Sequence, residues 1–137
     1  EGATVHVIAG QWGGAVGVTP RHGKATLLDV ELAAGASLRL PAAPDETAFV
    51  FLIQGEGLAE GQSLAEKTAA LLGAGDTVRL AAPANAGCRM IFFAGKPLRE
   101  PIAWGGPIVM NTQDELAQAF AELNQGTFLR ARGTTLD

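Results

Sequence analysis

The sequence predicts an antiparallel all-β domain of the sandwich or jelly-roll class, followed by a C-terminal α-helix. Short apolar runs bounded by glycine and proline dominate residues 1–95, and several of them alternate with a period of two. The 137 residues suffice for one domain with a real core, and 47% of them are hydrophobic. Sandwiches and jelly rolls leave few long strand edges exposed, so they suit such a series of short strands.

Six apolar runs are the candidate strands of this domain. They cover residues 4–9, 25–33, 36–41, 48–54, 76–82 and 88–94. In the second run, Leu28, Val30 and Leu32 fall on one face of a strand. Asp29 and Glu31 fall on the other face, which predicts a half-buried strand with a solvated polar side.

Two stretches lack a strand pattern. Residues 60–70 are expected to form a loop or one helical turn, and the Pro/Gly-framed residues 96–111 are expected to form a loop. A helix is predicted over residues 113–124, with residues 125–137 as a tail. At this length we expect residues 1–137 to form a single domain.

The predicted helix has clear start and stop signals. Thr112 and Glu115 fit a capping box, and Gly126 supplies a left-handed stop. Its apolar stripe is formed by Leu116, Phe120 and Leu123. We therefore expect the helix to pack across the β-barrel and to shield apolar surface.

Composition and charge exclude several classes of function. The net charge is −4 and the ten Lys and Arg residues are scattered, which disfavours a nucleic-acid surface. No apolar run is long enough for a membrane span, and the single Cys88 has no partner for an internal disulfide. A reducing, cytoplasmic location is expected. Because Glu1 leads almost at once into strand-like sequence, we also expect the chain to be part of a longer protein.

Several weak motifs are better explained as ordinary turns and strands. Residues 17–25 resemble a phosphate-binding loop, but Val18 stands where the first glycine is needed and Ala25 where a Ser or Thr is needed. Cys88 opens an apolar strand, so we favour a buried small hydrophobe over a nucleophile. His22 is expected to be a solvated turn histidine, with contact to an anion or carboxylate as the alternative.

Acidic side chains give no better signal. Asp45 and Glu46 follow Pro44 in a turn and are expected to be solvated. Nothing in the sequence sets the separation between two carboxylates that glycosidase chemistry requires. No catalytic residue is assigned to this chain.

One spacing stands out because its functional residues are missing. Residues 35–55 have the frame of the first cupin motif, with Gly35 and Gly55 at its ends. Where that motif has two histidines and a glutamate, this chain has Pro41, Ala43 and Ala48.

The second cupin motif is degenerate in the same way. It falls on residues 75–90, where Gly75 fits the start and Ala86 takes the place of the histidine. A divalent ion for oxygen chemistry is held by imidazole and carboxylate groups. All four aligned positions lack a donor side chain, so a cupin barrel with this sequence is predicted to bind no metal.

The sequence also resembles a particular cupin family. The segments "LLDVELAAGASLRLP", "FVFLIQGEG" and "REPIAWGGPIVMNTQDELAQAF" are similar to the C-terminal domain of pirin-like proteins, and the resemblance covers roughly residues 5–128. It implies a bicupin: two jelly rolls, with iron or another divalent metal in the N-terminal barrel and no metal ligands in the C-terminal one. Some bacterial members are similar to quercetin 2,3-dioxygenases, and animal pirin is a nuclear metal-dependent cofactor of transcription factors.

These observations lead to one main hypothesis and two alternatives. The main hypothesis is a metal-free cupin that forms the structural and partner-binding half of a pirin-like protein, with the N-terminal cupin, a second copy or another protein as partner. The alternatives are chemistry on this chain with a small apolar ligand, and a regulatory interaction module. A ligand cavity would be lined by Val50, Leu52, Trp104 and His22. For Trp104, core packing is favoured over ligand stacking.

Overall fold

A computed structural model describes residues 2–129 of the chain. The described residues form thirteen strands and one helix. The strands of the larger part are β1 (Ala3–Ala9), β2 (Gln11–Trp12), β3 (Ala15–Val16), β4 (Ala25–Leu32), β5 (Ser37–Pro41), β6 (Thr47–Gly55), β7 (Gly57–Ala59), β8 (Gln62–Leu64), β9 (Ala69–Leu71), β10 (Thr77–Ala81) and β11 (Cys88–Gly95). They are followed by β12 (Ala103–Gly105), β13 (Ile108–Met110) and α1 (Gln113–Gln125). The chain divides into two compact units, Glu1–Pro97 and Leu98–Asp137.

Two antiparallel sheets build the first unit. One has five strands in the order β1-β4-β11-β6-β9, and the other has four in the order β5-β10-β7-β8. Their inner faces share one hydrophobic core, in which Leu28, Leu40, Leu80 and Phe92 are fully buried. This two-sheet arrangement confirms the predicted all-β jelly roll with a C-terminal helix.

The six predicted strands all form, and strand β4 shows why the pattern is reliable. Leu28, Val30 and Leu32 face the core, as the alternation requires. The expectation of a solvated polar side is wrong for Asp29, which is only 8% exposed although Glu31 is exposed. Asp29 can be buried because a charged partner lies on the neighbouring strand β11.

Residues 60–70 are only in part the loop that the sequence predicts. Strand β8 and the start of β9 lie within this stretch, and β7 and β8 form a hairpin that turns at Glu60 and Gly61, both with positive φ. Strand β9 pairs with β6 at the edge of the five-stranded sheet. Strands of three residues are too short to show alternation, and their pairing partners fix them instead.

The second unit contains a hairpin where the sequence predicts only a loop. Strands β12 and β13 pair within residues 96–111, with Trp104 opposite Val109. The hairpin packs on α1, and Gly105 allows the close approach: a Cβ on Gly105 would lie 3.0 Å from Phe120 Cε2 and 3.3 Å from Leu116 Cδ2. A larger residue at this position would therefore force the Phe120 ring to shift.

Helix α1 begins and ends where the sequence predicts. The Thr112 hydroxyl accepts a hydrogen bond from the Glu115 amide at 3.2 Å, and Glu115 Oε2 accepts one from the Thr112 amide at 2.9 Å. Gly126 has φ 72° and closes the helix. Leu116 is buried, but Leu123 is 49% exposed and lies off the packed stripe. Whether the helix packs on the barrel stays a prediction.

Candidate functional site

Two of the four positions that the cupin spacing assigns as degenerate ligands, Pro41 and Ala43, lie at the surface of the first unit, whereas that spacing predicts that they face the barrel interior; the neighbouring Ala42 is the buried residue, at 7% exposure. Pro41 ends β5, is exposed, and lines an open cavity of about 500 Å³ with the β2–β3 hairpin, including Trp12. Ala43 lies in the turn before β6, where its amide donates a hydrogen bond to Glu46 Oε2 at 3.0 Å. Neither side chain carries an atom that could bind a metal ion.

The other two positions also hold alanine side chains. Ala48 lies on β6, is 6% exposed and belongs to the hydrophobic core. Ala86 lies in the turn before β11, where its amide donates a hydrogen bond to the carbonyl of Pro83. Across residues 2–129 no three His, Cys, Asp or Glu side chains are grouped so that they could hold a metal ion. The residues present therefore do not fit the iron site of a cupin.

The residues predicted to line a ligand cavity have different environments. Val50 and Leu52 are fully buried in the core of the first unit. His22 is exposed in the loop before β4. Trp104 belongs to the second unit and is 73% exposed; its indole N–H donates a hydrogen bond to the carbonyl of Gly106 at 2.7 Å. Core packing is thus wrong for Trp104, and the joint cavity stays a prediction.

The structure also contains a partly buried ion pair that was not predicted from the sequence. Asp29 on β4 accepts two hydrogen bonds from Arg89 on β11, Nε to Oδ1 at 2.9 Å and Nη2 to Oδ2 at 2.5 Å. The Arg89 hydrogen bonds hold the pKa of the Asp29 carboxyl below its usual value, against the opposing effect of burial. A carboxylate inside the apolar run of β4 was the available signal, because a buried charge needs a partner.

A cavity opens beside this pair. It has a volume of about 630 Å³ and is lined in part by Glu31, Gln54, Cys88 and Arg89. Cys88 is 7% exposed, and burial raises the pKa of its thiol. A nucleophilic cysteine needs a lowered pKa, so Cys88 behaves as the buried hydrophobe that its position predicts.

The acidic turn is more ordered than expected. Asp45 Oδ2 pairs with Lys96 Nζ at 2.5 Å, and Glu46 caps its own turn through the amide of Ala43. The pairing with Asp45 raises the pKa of Lys96. Asp45 stays solvated as expected, with 58% of its side chain exposed, and Glu46 is partly exposed. Both nevertheless have hydrogen-bonding partners at the surface of this turn.

Comparison with known proteins decides the family. Residues 27–129 match the pirin C-terminal cupin domain. The chain belongs to the pirin family. A pirin-like protein of Caulobacter vibrioides is 35% identical over 129 residues, which cover 93% of this chain and 46% of that protein. Pirin of Homo sapiens is 33% identical over 126 residues, which cover 89% of this chain and 43% of the human protein.

Solved structures agree with this assignment. A crystal structure of quercetin 2,3-dioxygenase from Acinetobacter baumannii superposes with a TM-score of 0.84 at 30% identity, over 93% of this chain and 44% of that one. A cupin domain of a transcriptional regulator from Enterobacter cloacae, with a TM-score of 0.56 at 15% identity, shows the shared cupin fold. This pirin domain spans less than half the length of the pirin relatives that it matches.

No helix within residues 2–129 combines the length and the apolar character that crossing a bilayer requires.

Proposed function

We propose that this pirin domain is the metal-free, structural and partner-binding half of a longer protein. One observation carries the proposal: Pro41, Ala43, Ala48 and Ala86 occupy all four aligned ligand positions. Imidazole and carboxylate groups are needed there to hold a divalent ion. Metal-dependent chemistry similar to that of quercetin 2,3-dioxygenase would then lie in an N-terminal cupin.

The lengths of the relatives support this division of labour. The domain covers 44% of the Acinetobacter baumannii quercetin 2,3-dioxygenase and 43% of human pirin, which leaves room for a second barrel in each. A jelly roll of this size takes about 100 residues or somewhat more. Iron or another divalent metal is assigned to that second barrel, and its packing against this domain would complete the protein.

The proposal is tested by metal binding and turnover on the same sample. The purified 137-residue chain is incubated with ferrous iron, its metal content is measured by mass spectrometry, and quercetin consumption is followed. We expect no stoichiometric iron and no turnover. Stoichiometric iron that is lost in the His6→Ala or His22→Ala variant, together with turnover, would place the chemistry on this chain and overturn the proposal.

A second candidate function is a self-sufficient interaction module. Trp104 is 73% exposed and its cross-strand neighbour Val109 is 60% exposed. Exposed tryptophan beside an apolar residue is typical of the anchors of protein interfaces. Sedimentation separates the two candidates, because a self-sufficient module stays monomeric over a wide concentration range, whereas a separated half of a larger protein self-associates.

A ligand in the barrel receives less support. Val50 and Leu52 are fully buried, with 0% of their surface accessible to solvent. Their side chains therefore pack against other core residues and do not line a cavity. We also propose a cytoplasmic location. The buried free thiol of Cys88 is compatible with a reducing compartment.

A further inference from the structure

The space beside the β2–β3 hairpin is not used by the proposed function. We define the hairpin cavity as the open space of about 500 Å³ that residues 11–16 and Pro41 line. Small-molecule sites have volumes of about 300–1,000 Å³, so this volume suffices for a ligand. The buried Val50 and Leu52 do not line it, which makes it separate from the interior of the barrel.

A glycine turn keeps this space open. Strands β2 and β3 pair with Trp12 opposite Ala15. Gly13 and Gly14 join them with φ values of 56° and 84°, and a two-residue type I′ turn requires positive φ at both positions. A Cβ added at either glycine would meet no atom within 4 Å. The turn thus supplies backbone without side chains to the wall of the hairpin cavity.

Trp12 supplies the main side chain of that wall. Its indole is half-buried and packs against the hydrophobic core of the first unit, while its remaining surface lines the hairpin cavity. Its cross-strand neighbour Ala15 is small and exposed. A ring that the core already holds in place loses little freedom when a ligand binds to it. The indole is therefore a pre-positioned surface for stacking.

The indole nitrogen of Trp12 adds a polar group to this surface. In the other tryptophan, Trp104, the indole N–H donates a hydrogen bond to the carbonyl of Gly106 at 2.7 Å. Within residues 2–129 the Trp12 N–H has no such acceptor. Solvent reaches this nitrogen, because the described residues contain no buried side-chain nitrogen or oxygen without a partner. The Trp12 N–H is thus available to an acceptor on a ligand.

The other lining residues favour a neutral, apolar ligand. Pro41 is exposed and contributes a second apolar ring to the hairpin cavity. Val16, which is 70% exposed, contributes methyl groups. No residue that lines the cavity has an ionisable side chain. Because desolvating an unpaired charge is unfavourable, a charged ligand does not fit this set of residues.

We propose that the hairpin cavity binds a small neutral molecule that has a flat aromatic ring and a hydrogen-bond acceptor. The ring stacks on the Trp12 indole and contacts Pro41, and the acceptor takes the Trp12 N–H. Offset stacking and edge-to-face contacts between aromatic rings add to the gain from apolar burial. The site is independent of the partner-binding role, so the two proposals can fail separately.

Nuclear magnetic resonance on the 15N-labelled 137-residue chain tests the site. The chain has two tryptophans, so its spectrum has two indole N–H resonances, which a Trp104→Phe variant assigns. Acetophenone is the probe, because it combines a flat ring with a carbonyl acceptor. We expect the Trp12 indole resonance to move to a plateau during the titration and the Trp104 resonance to stay unchanged. Cyclohexyl methyl ketone, which has the same acceptor on a ring that is not flat, should bind several-fold more weakly.

Variants that leave the core intact provide the second readout. Ala15→Leu places a larger side chain in the hairpin cavity at an exposed position and should weaken acetophenone binding several-fold. Ala74→Leu is the matched control, because Ala74 is exposed in the loop between β9 and β10 and does not line the cavity. Trp12→Phe keeps a ring but loses the N–H. It should also bind several-fold more weakly, as measured from the amide resonances of Gly13 and Gly14.

Three outcomes would overturn the inference. Equal movement of both indole resonances would show non-specific stacking on any accessible tryptophan. No movement of the Trp12 resonance up to the solubility limit of acetophenone would show that the hairpin cavity takes no such ligand. Equal weakening by Ala15→Leu and Ala74→Leu would place the binding elsewhere on the chain.

Discussion

Asp29 and Arg89 form an ion pair with two hydrogen bonds between β4 and β11, which are neighbouring antiparallel strands of the five-stranded sheet. The Asp29 side chain is 11% exposed, whereas the Arg89 side chain is 45% exposed. The pair is therefore buried on its acidic side and open to water on its basic side. Removing Arg89 and removing the charge of Asp29 should therefore have different consequences.

Loss of the arginine should destabilise the fold more than loss of a solvated arginine. In an Arg89→Met variant the Asp29 carboxylate stays buried without its two hydrogen bonds. Arg39→Met, at an exposed position on the other sheet, is the matched control. We expect urea denaturation to show a clear decrease in unfolding free energy for the first variant and little change for the second. Equal effects would mean that the pair contributes nothing specific.

The destabilisation caused by removing the Asp29 charge should be smaller at acid pH. The pKa of Asp29 lies below its ordinary value of 3.8 in the folded state, so its contribution to stability is present above that value and is lost as pH falls through the folded pKa. Asp29→Asn should cost about 1–3 kcal/mol at pH 7. The difference in unfolding free energy between the two proteins should be constant from pH 7 to about pH 5 and should shrink as the pH falls below 3.8. A difference in unfolding free energy that stays constant at all pH values would contradict the stabilising role of the ionised Asp29 carboxylate.

The capping box should carry measurable helix stability. Thr112→Ala removes the acceptor of the Glu115 amide and should cost roughly 1 kcal/mol. Gln113→Ala, one residue later in the first turn, serves as the control because no capping bond is lost. Amide hydrogen exchange across α1 measures the effect locally. Faster exchange in both variants alike would show that the cap is not responsible.

Packing of the helix on its hairpin should depend on Gly105 and Leu116. Leu116→Ala should cost roughly 2–5 kcal/mol because Leu116 is 7% exposed. Gly105→Ala should also loosen the contact, since the new methyl group would meet Phe120 at 3.0 Å. Leu123→Ala, at a 49% exposed site, should change stability by less than about 0.5 kcal/mol. Fluorescence of Trp104 on the hairpin reports the loss of packing.

Self-association of the isolated chain should depend on the outward face of the five-stranded sheet, where Phe49, Phe51 and Phe93 are partly exposed and Leu71 is 74% exposed. At high concentration we expect sedimentation velocity to show dimers or larger species. Leu71→Asp should lower the sedimentation coefficient toward that of a monomer, and Leu58→Asp should not. A clean monomer for the unmodified chain over a wide concentration range would contradict the expectation.

Local chemistry made much of this fold predictable. The six longer strands and α1 follow from alternation, turn residues and caps, which act over a few residues in sequence. Strands β8 and β9 were not predictable in the same way, because three residues show no period and their pairing partners lie elsewhere in the chain. The β12–β13 hairpin was hidden by its glycines and proline, which resemble a loop.

The site was less predictable than the fold. The cupin spacing assigned Pro41, Ala43, Ala48 and Ala86 as degenerate ligand positions, and this stays a prediction; only Ala48 lies in the core, whereas Pro41 and Ala43 face outward. The Asp29–Arg89 pair could not be predicted, because its partners are sixty residues apart in sequence and meet only through strand pairing. Exposure of Trp104 was likewise set by which face of the hairpin meets the helix.

The position of β11 has a consequence for synthesis on the ribosome. It lies between β4 and β6 in the five-stranded sheet, yet it is the last of those five strands in the sequence. Until residue 95 has emerged, the facing edges of β4 and β6 have no partner and the phenylalanines of β6 stand in the open. Nascent chains of this length carry unpaired strand edges that promote aggregation. A pause in translation just before β11 would therefore leave the longest unpaired strand edges of the domain exposed.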